Sequence, residues 1–181
     1  MAVKGIRESA RNLAFSAVFA YDQGGTNLEE LARFDWYKAM QEYDDEGHEL
    51  LTIQDNVKEE TFLQAREMLL GTFQNIEKID QIIKKYLVKW DFNRVKSVDK
   101  AILRISVYSI LFRSDMPSEV IIAEANDLAD IYSEEAASNY INGMLHKIKE
   151  EIRDKKQQTL PEKAPGENKK KKNIKLKTGK K

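Results

Sequence analysis

The chain of 181 residues contains no cysteine and only three prolines. The absence of cysteine excludes disulfide bonds, thiolate zinc sites and a cysteine nucleophile, and it is compatible with a cytoplasmic protein. Proline interrupts the interior of a helix. The three prolines are Pro117, Pro161 and Pro165, so residues 1–116 contain no such helix breaker.

Long apolar runs are also absent. The N-terminal residues do not contain the apolar stretch of a secretory signal, and no segment approaches the roughly 20 apolar residues of a membrane span. From the sequence we therefore expect a cytoplasmic protein that does not contact a membrane.

The formal net charge of zero conceals an uneven distribution. Residues 154–181 hold eleven lysines and three acidic residues, a net charge of +8, which leaves −8 for residues 1–153. The basic segment has too few apolar residues to offset the entropy of ordering it. We therefore divide the chain into a domain at 1–153 and a disordered lysine-rich tail at 154–181. The tail is either an arm that binds polyanions such as RNA or a solvated tail that adds solubility.

Apolar residues in the domain recur at spacings of three and four, which predicts helices. The first helix is expected at about Ile6 to Asp22, and the second from Leu28 to about Tyr43. A long pattern begins at about Asp55 and loses its phase near Asn75, where a bend could start a separate helix. The segment from Ser97 to about Arg113 is apolar on most sides and should be a central helix. No alternating pattern predicts a strand, so the expected fold is an all-α bundle of about six or seven helices.

Hydroxyl residues mark the expected helix starts. Thr26 and Glu29 have the spacing of a capping box, and Ser97, Ser118 and Ser133 precede apolar helical patterns. The cluster Asp44-Asp45-Glu46-Gly47 predicts a turn.

Enzyme motifs are missing from the sequence. It has no glycine-rich phosphate loop, no His-Glu-x-x-His and no Gly-x-Ser-x-Gly, and its two histidines, His48 and His146, lie far apart. We therefore expect neither catalysis nor a metal or other cofactor.

A basic stripe at the N-terminus is the clearest candidate binding feature. Lys4, Arg7 and Arg11 are spaced three and four apart, and Phe15 and Phe19 continue the stripe. Arginines bind phosphates and aromatic rings stack on unpaired bases, so the stripe fits RNA. The alternative is a solvated basic face that runs into core phenylalanines.

A set of short motifs occurs in fixed order within residues 6–150. They are Ala10-Arg11 with Ala14 and Ala17, Ile79-Asp80 before Trp90, Val98-Asp-Lys-Ala-Ile-Leu-Arg104, Tyr108, Asp115-Met-Pro117, Ile122-Ala-Glu-Ala125 and Tyr140-Ile-Asn-Gly143. In this order and spacing they resemble the NusB family of bacterial transcription antitermination factors.

The resemblance implies an all-helical fold of two small subbundles. It also implies binding to the boxA element of ribosomal RNA leaders, as a heterodimer with a small ribosomal protein called NusE in this role. That complex joins other Nus factors on RNA polymerase and suppresses premature termination. Family members are monomers or homodimers.

The resemblance also assigns residues to these roles. Arg7 and Arg11 fall in the RNA-binding N-terminal segment, and Lys4 joins them by charge. Phe19 and Tyr86 fall at aromatic positions near the RNA. Asp99 falls on the surface for the ribosomal partner, and Arg104 is a second candidate there. Because Arg7 and Arg11 should bind phosphates, we expect both on the surface.

Three features depart from the family pattern. Glu8 and Ser9 dilute the basic stripe, the segment from about Phe34 to Glu60 is longer than is typical, and the lysine-rich tail is not part of the pattern. The alternative function is a helical protein–protein scaffold with no direct contact to RNA, which the acidic domain and the diluted stripe favour. The related domain of some ribosomal RNA cytosine methylases is a weaker alternative, because this sequence lacks their cofactor-binding α/β domain.

Overall fold

A computed structural model describes residues 6–24, 26–40, 59–87 and 91–159. These residues form eight α-helices and one short 3-10 helix at Phe92–Arg94, and they contain no strand. The α-helices are α1 (Ile6–Gln23), α2 (Leu28–Leu31), α3 (Asp35–Met40), α4 (Glu59–Gln74), α5 (Ile76–Tyr86), α6 (Ser97–Phe112), α7 (Ser118–Tyr132) and α8 (Glu135–Thr159). The expected all-helical class is confirmed.

Helix α6 lies at the centre of the bundle. It contacts α1, α4, α5, α7 and α8. Every residue from Ala101 to Ile110 is buried, including the polar Arg104, Ser106 and Ser109. An apolar pattern on most sides of this segment predicts such a position, and the prediction is confirmed.

The predicted second helix is wrong, because the structure breaks it into α2 and α3. The break lies at Phe34, whose φ of 57° is in the left-handed region. Its side chain is fully buried between Trp36 and Phe62, with ring centroids 6.0 Å and 5.9 Å away. Burial of a phenylalanine is worth about 1.5–3 kcal/mol, which offsets the cost of about 1–3 kcal/mol for such a backbone conformation.

The predicted helix caps are displaced by one or two residues. Asn27, and not Thr26, caps α2 by accepting a hydrogen bond from the backbone N–H of Glu30. Ser97 and Ser118 are the first residues of their helices, which follow Lys96 and Pro117. Ser133 ends α7 instead of starting α8. In each case the serine lies one residue or more from the position at which a hydroxyl could cap the next helix.

The break near Asn75 is confirmed. Asn75 separates α4 from α5, and its side-chain amide donates to the backbone oxygen of Gly71, 2.9 Å away. Gly71 lies against Tyr108 of α6, at a place where a Cβ atom would overlap the tyrosine ring. Because Gly71 has no side chain, α4 can approach α6 closely at this point.

Helix α8 extends to Thr159. The helix therefore continues past the expected boundary between domain and tail at Asp154, and its inner face reaches Ile152. The division of the chain into domain and tail stays a prediction. The remaining tail from residue 160 and the predicted turn at Asp44–Gly47 lie outside the described residues.

Candidate functional site

Arg11 is buried, although the sequence analysis expected it on the surface. Only 2% of Arg11 is exposed. Its guanidinium forms an ion pair with Glu124 of α7, and Nη2 donates to Met116 Sδ at 3.8 Å. Burial, and then the positive charge of Arg113, lower the pKa of Arg11 to about 10, so it remains charged at neutral pH. The expectation of a surface position is wrong because Met116 and Glu124, before and within α7, cover the guanidinium.

The other two members of the basic stripe are not placed. Lys4 lies outside the described residues, and Arg7 is in α1 but its side chain is not described. Their predicted contacts with RNA stay predictions.

Phe19 lies at the edge of a groove between α1, α7 and the start of α6. The groove has a volume of about 610 Å³, and Phe15 and Tyr132 line it together with Phe19. The ring of buried Phe15 is 6.5 Å from that of Phe19 and 5.1 Å from that of Tyr132. Phe19 and Tyr132 are 36% and 53% exposed, so their rings are available to a ligand.

Lys96 is the basic residue of the groove. It precedes α6 and is exposed, and its Nζ lies 2.5 Å from a carboxylate oxygen of Glu134. This hydrogen bond raises the pKa of Lys96 and lowers that of Glu134. The positive field of Lys96 is therefore partly neutralised by an exposed acid next to the groove.

A smaller cavity adjoins the groove at Lys96. Its volume is about 240 Å³, and Lys96, Asp99, Ala137 and Tyr140 are among its lining residues. The Tyr140 hydroxyl is buried and has no hydrogen-bond partner in the structure. Burial, and then the charge of Asp99, raise the pKa of Tyr140 to about 12.

Asp99 is also buried, with 5% of its surface exposed. The hydroxyl of Ser133 donates to Asp99 Oδ1 at 2.6 Å, which ties α6 to the end of α7. Asp99 lines the cavity beside Tyr140, and its expected contact with a protein partner stays a prediction.

Arg104 occupies the interior, between α1, α5 and α6. Its Nε and Nη2 each donate to a carboxylate oxygen of Asp80 at 2.8 Å, and its Nη1 donates to Asp22 at 2.6 Å. Burial lowers the pKa of Arg104, but the bonds and charges of the two acids outweigh it, so the net shift is upward. Because all three donor nitrogens are engaged within the fold, this geometry does not support the predicted direct contact with a partner.

Tyr86 lies at the end of α5, beside α8. Its hydroxyl donates to Glu151, and Lys85 Nζ lies 2.6 Å from the same carboxylate oxygen. Burial, and then the hydrogen bond and charge of Glu151, raise the pKa of Tyr86 to about 12. The predicted RNA contact of Tyr86 is not tested by this geometry, which places an acid next to the ring.

Sequence reasoning did not identify Tyr132 or Lys96 as site residues. Tyr132 lies off the inward stripe of α7 at the last helical position, and Lys96 directly precedes α6, outside the apolar pattern that predicts that helix. An exposed aromatic residue at a helix end is the signal that could have found Tyr132.

Metal chemistry has no support in the described part of the chain, where no three His, Asp or Glu side chains form a group able to hold a metal ion. None of the helices described is both long enough and apolar enough to cross a membrane.

Comparison with known proteins identifies a shared family. Residues 8–150 match the model of the NusB family. The chain is 36% identical over 144 residues to the transcription antitermination protein NusB of Treponema denticola, covering 79% of this chain and 95% of that protein. It is 32% identical over 146 residues to the same protein of Carboxydothermus hydrogenoformans, covering 81% and 94%.

Solved structures show the same fold. The structure of T. maritima NusB has a TM-score of 0.66 at 28% identity and covers 87% of this chain and 100% of that chain. A structure of the antitermination factors NusB and NusE in complex with dsRNA has a TM-score of 0.64 at 24% identity, covering 81% and 97%. At that identity the second structure supports the fold alone.

Proposed function

This chain belongs to the NusB family of transcription antitermination proteins, and we propose that it binds boxA-type single-stranded RNA of ribosomal RNA leaders together with the ribosomal protein NusE. In this role it acts in the cytoplasm, joins other Nus factors on RNA polymerase, and suppresses premature termination. Its contribution is to bind and position RNA, with no catalytic step and no cofactor.

The aromatic groove is the observation that carries this proposal. Phe19 and Tyr132 expose their rings on either side of buried Phe15, and Lys96 lies on the same groove. Unstacked bases of single-stranded RNA stack on such rings, at about 1–3 kcal/mol per base. A nearby ammonium group then favours the phosphates between the stacked bases.

The charge distribution predicts weak binding by the chain alone. Residues 1–153 carry a net charge of −8, which repels RNA at long range. Glu134 offsets Lys96, and Arg11 is removed from the surface. We propose that Arg7 and Lys4 supply phosphate contacts at the start of α1 and that NusE supplies the remaining affinity.

A protein–protein scaffold without direct RNA contact is the second candidate. Two observations favour it, namely the burial of Arg11 and the acidic surface next to Lys96. The two candidates differ in one measurable quantity, which is the dependence of RNA affinity on the exposed rings of the groove.

The test is a fluorescence anisotropy titration of boxA RNA and of a scrambled RNA, with and without NusE. We expect weak binding by the chain alone and tighter, selective binding with NusE. Phe19→Ala and Tyr132→Ala should each weaken binding of boxA RNA by roughly tenfold, the equivalent of one stacked base. Equal affinities for the two RNAs in the presence of NusE would contradict the proposal.

Tyr21→Ala is the matched control. Tyr21 is an aromatic residue on the same helix with similar exposure, 41%, but it packs against Phe73 outside the groove. Its loss should leave RNA affinity within twofold of the wild type. If Tyr21→Ala weakens binding as much as Phe19→Ala, the effect is not specific to the groove and the scaffold candidate is favoured.

A further inference from the structure

The small cavity beside the groove has the size and position of a subsite for one ring system. It lies between the segment that leads into α6 and the first turns of α8, and Lys96 lines both the cavity and the groove. Its volume of about 240 Å³ is below the roughly 300–1,000 Å³ of sites for drug-sized ligands. A ligand in the groove can therefore extend a single flat group into the cavity without leaving the surface.

The walls of the cavity combine apolar faces with polar side chains, of which Arg94, Lys96 and Glu134 are exposed, whereas Tyr140 and Asp99 are more deeply buried. Val95, Ala136 and Ala137 supply apolar contact. The hydroxyl of Tyr140 is buried and unpartnered, whereas the carboxylate of Asp99 is fixed through one oxygen by Ser133. A buried hydroxyl without a partner is costly, so a ligand that satisfies it gains binding free energy.

We propose that this cavity holds one unstacked base of the bound RNA and prefers guanine, with the Tyr140 hydroxyl and the Asp99 carboxylate reading its edge. This inference rests on the proposed function, because it requires RNA in the adjoining groove. The cavity adds a base-specific contact to a groove that otherwise binds RNA through base stacking and through the charge of its phosphates.

The preference for guanine follows from donors and acceptors. The Watson–Crick edge of guanine offers N–H donors at N1 and N2 beside the O6 acceptor. A carboxylate accepts from the donors, and a hydroxyl donates to O6. Tyr140 is suited to donate because its pKa of about 12 keeps the hydroxyl protonated at neutral pH.

The other bases satisfy the two groups less well. Uracil has a single N–H between two carbonyl oxygens, one of which would face the Asp99 carboxylate. Adenine and cytosine offer an amino donor next to a ring nitrogen acceptor, and so they lack the second N–H that guanine presents. Unpaired acceptors in a buried site cost binding free energy, which produces the discrimination.

The test compares RNA dodecamers that are oligouridylate except for one central guanosine or adenosine, with the affinities measured by anisotropy. The wild type should bind the guanosine RNA more tightly by roughly tenfold. Tyr140→Phe removes only the hydroxyl and should lower this ratio of affinities by roughly three- to tenfold, the equivalent of one hydrogen bond. Ala137→Leu, which reduces the cavity without removing a polar group, should lower the ratio as well.

Tyr21→Phe is the matched control, because it removes a hydroxyl from an exposed tyrosine outside the groove and should leave the ratio unchanged. Urea unfolding of each variant confirms that it is folded. The titrations are made in the presence of NusE, with boxA RNA as the reference. If the wild type binds boxA RNA but neither dodecamer, only the inference fails; if it also binds boxA RNA no better than scrambled RNA, the proposed function fails with it. If it binds both dodecamers but Tyr140→Phe leaves the ratio unchanged, only the inference fails. A loss of affinity for NusE with an unchanged ratio would assign the cavity to a protein side chain and overturn the inference.

Discussion

Arg11 illustrates how a single residue can match a binding pattern and yet serve the fold. Its spacing from Arg7 suits a basic stripe, but only 2% of it is exposed and it forms an ion pair with Glu124 across the contact between α1 and α7. Arg104 has a similar position between Asp80 and Asp22. Buried guanidinium groups are tolerated when their donors are paired, and removal of one partner leaves an uncompensated charge.

The position of Arg11 predicts a loss of stability on its removal. Arg11→Ala should lower the free energy of unfolding by about 3 kcal/mol, the lower end for a broken buried pair, because Glu124 is partly exposed. Urea unfolding followed by circular dichroism measures this change. In the Arg11→Ala background, Glu124→Gln should recover part of the loss, since it removes the unpaired charge. An unchanged free energy of unfolding would contradict this stabilising role and favour the surface role that the spacing of Arg11 suggests.

At the scale of elements, the contact between α4 and α6 depends on Gly71. In an open helix, alanine is favoured over glycine by about 1 kcal/mol. A Cβ atom at Gly71 would instead overlap the Tyr108 ring, and overpacking costs about 1–3 kcal/mol. Gly71→Ala should therefore be destabilising or neutral, whereas Gly143→Ala should stabilise because no atom lies within 4 Å of its added Cβ. Thermal unfolding of the two variants gives the comparison, and stabilisation by Gly71→Ala as large as that by Gly143→Ala would contradict the close approach.

The elements also indicate which features the sequence predicts and which depend on packing. The apolar stripes of α1 and α6 predict helices in the right places because core contacts extend over several turns. The break at Phe34 was not predictable, since it depends on Trp36 and Phe62, which only the folded chain brings around that ring. The predicted caps at Ser97, Ser118 and Ser133 are displaced by one or two residues. Helices α6 and α7 follow Lys96 and Pro117, neither of which makes a side-chain capping bond, so no capping pattern in the sequence marks their starts.

The candidate site also combines a residue that the sequence predicts with residues that only the folded chain brings together. Phe19 was identified through the family resemblance, and its exposure on the groove agrees with a ligand contact. Tyr132 and Lys96 join it from distant parts of the sequence, so only the tertiary structure shows that they share a groove with α1. The cavity at Tyr140 depends in the same way on the docking of α8 beside the start of α6.

At the scale of the whole molecule, the charge distribution opposes the proposed partner. Residues 1–153 carry a net charge of −8 and 154–181 carry +8. The charges of the acidic body are screened beyond a distance of about 8 Å at physiological salt, so a local contact in the groove remains favourable. A basic tail that binds RNA would add affinity without adding sequence preference, because phosphates are the same at every nucleotide.

Deletion of residues 160–181 tests this role of the tail and leaves α8 intact. The segment contains nine lysines and two acidic residues. If it binds RNA, the deletion should reduce the dependence of log affinity on log salt by about 0.7 for each phosphate that the tail had neutralised. The affinity ratio between boxA and scrambled RNA should stay the same.

Anisotropy titrations at several salt concentrations measure both quantities, and Lys-to-Gln changes across 169–172 serve as a control that keeps the length of the tail. An unchanged salt dependence in both variants would show that the tail takes no part in binding, and the positive charge for RNA must then come from the start of α1 and from NusE.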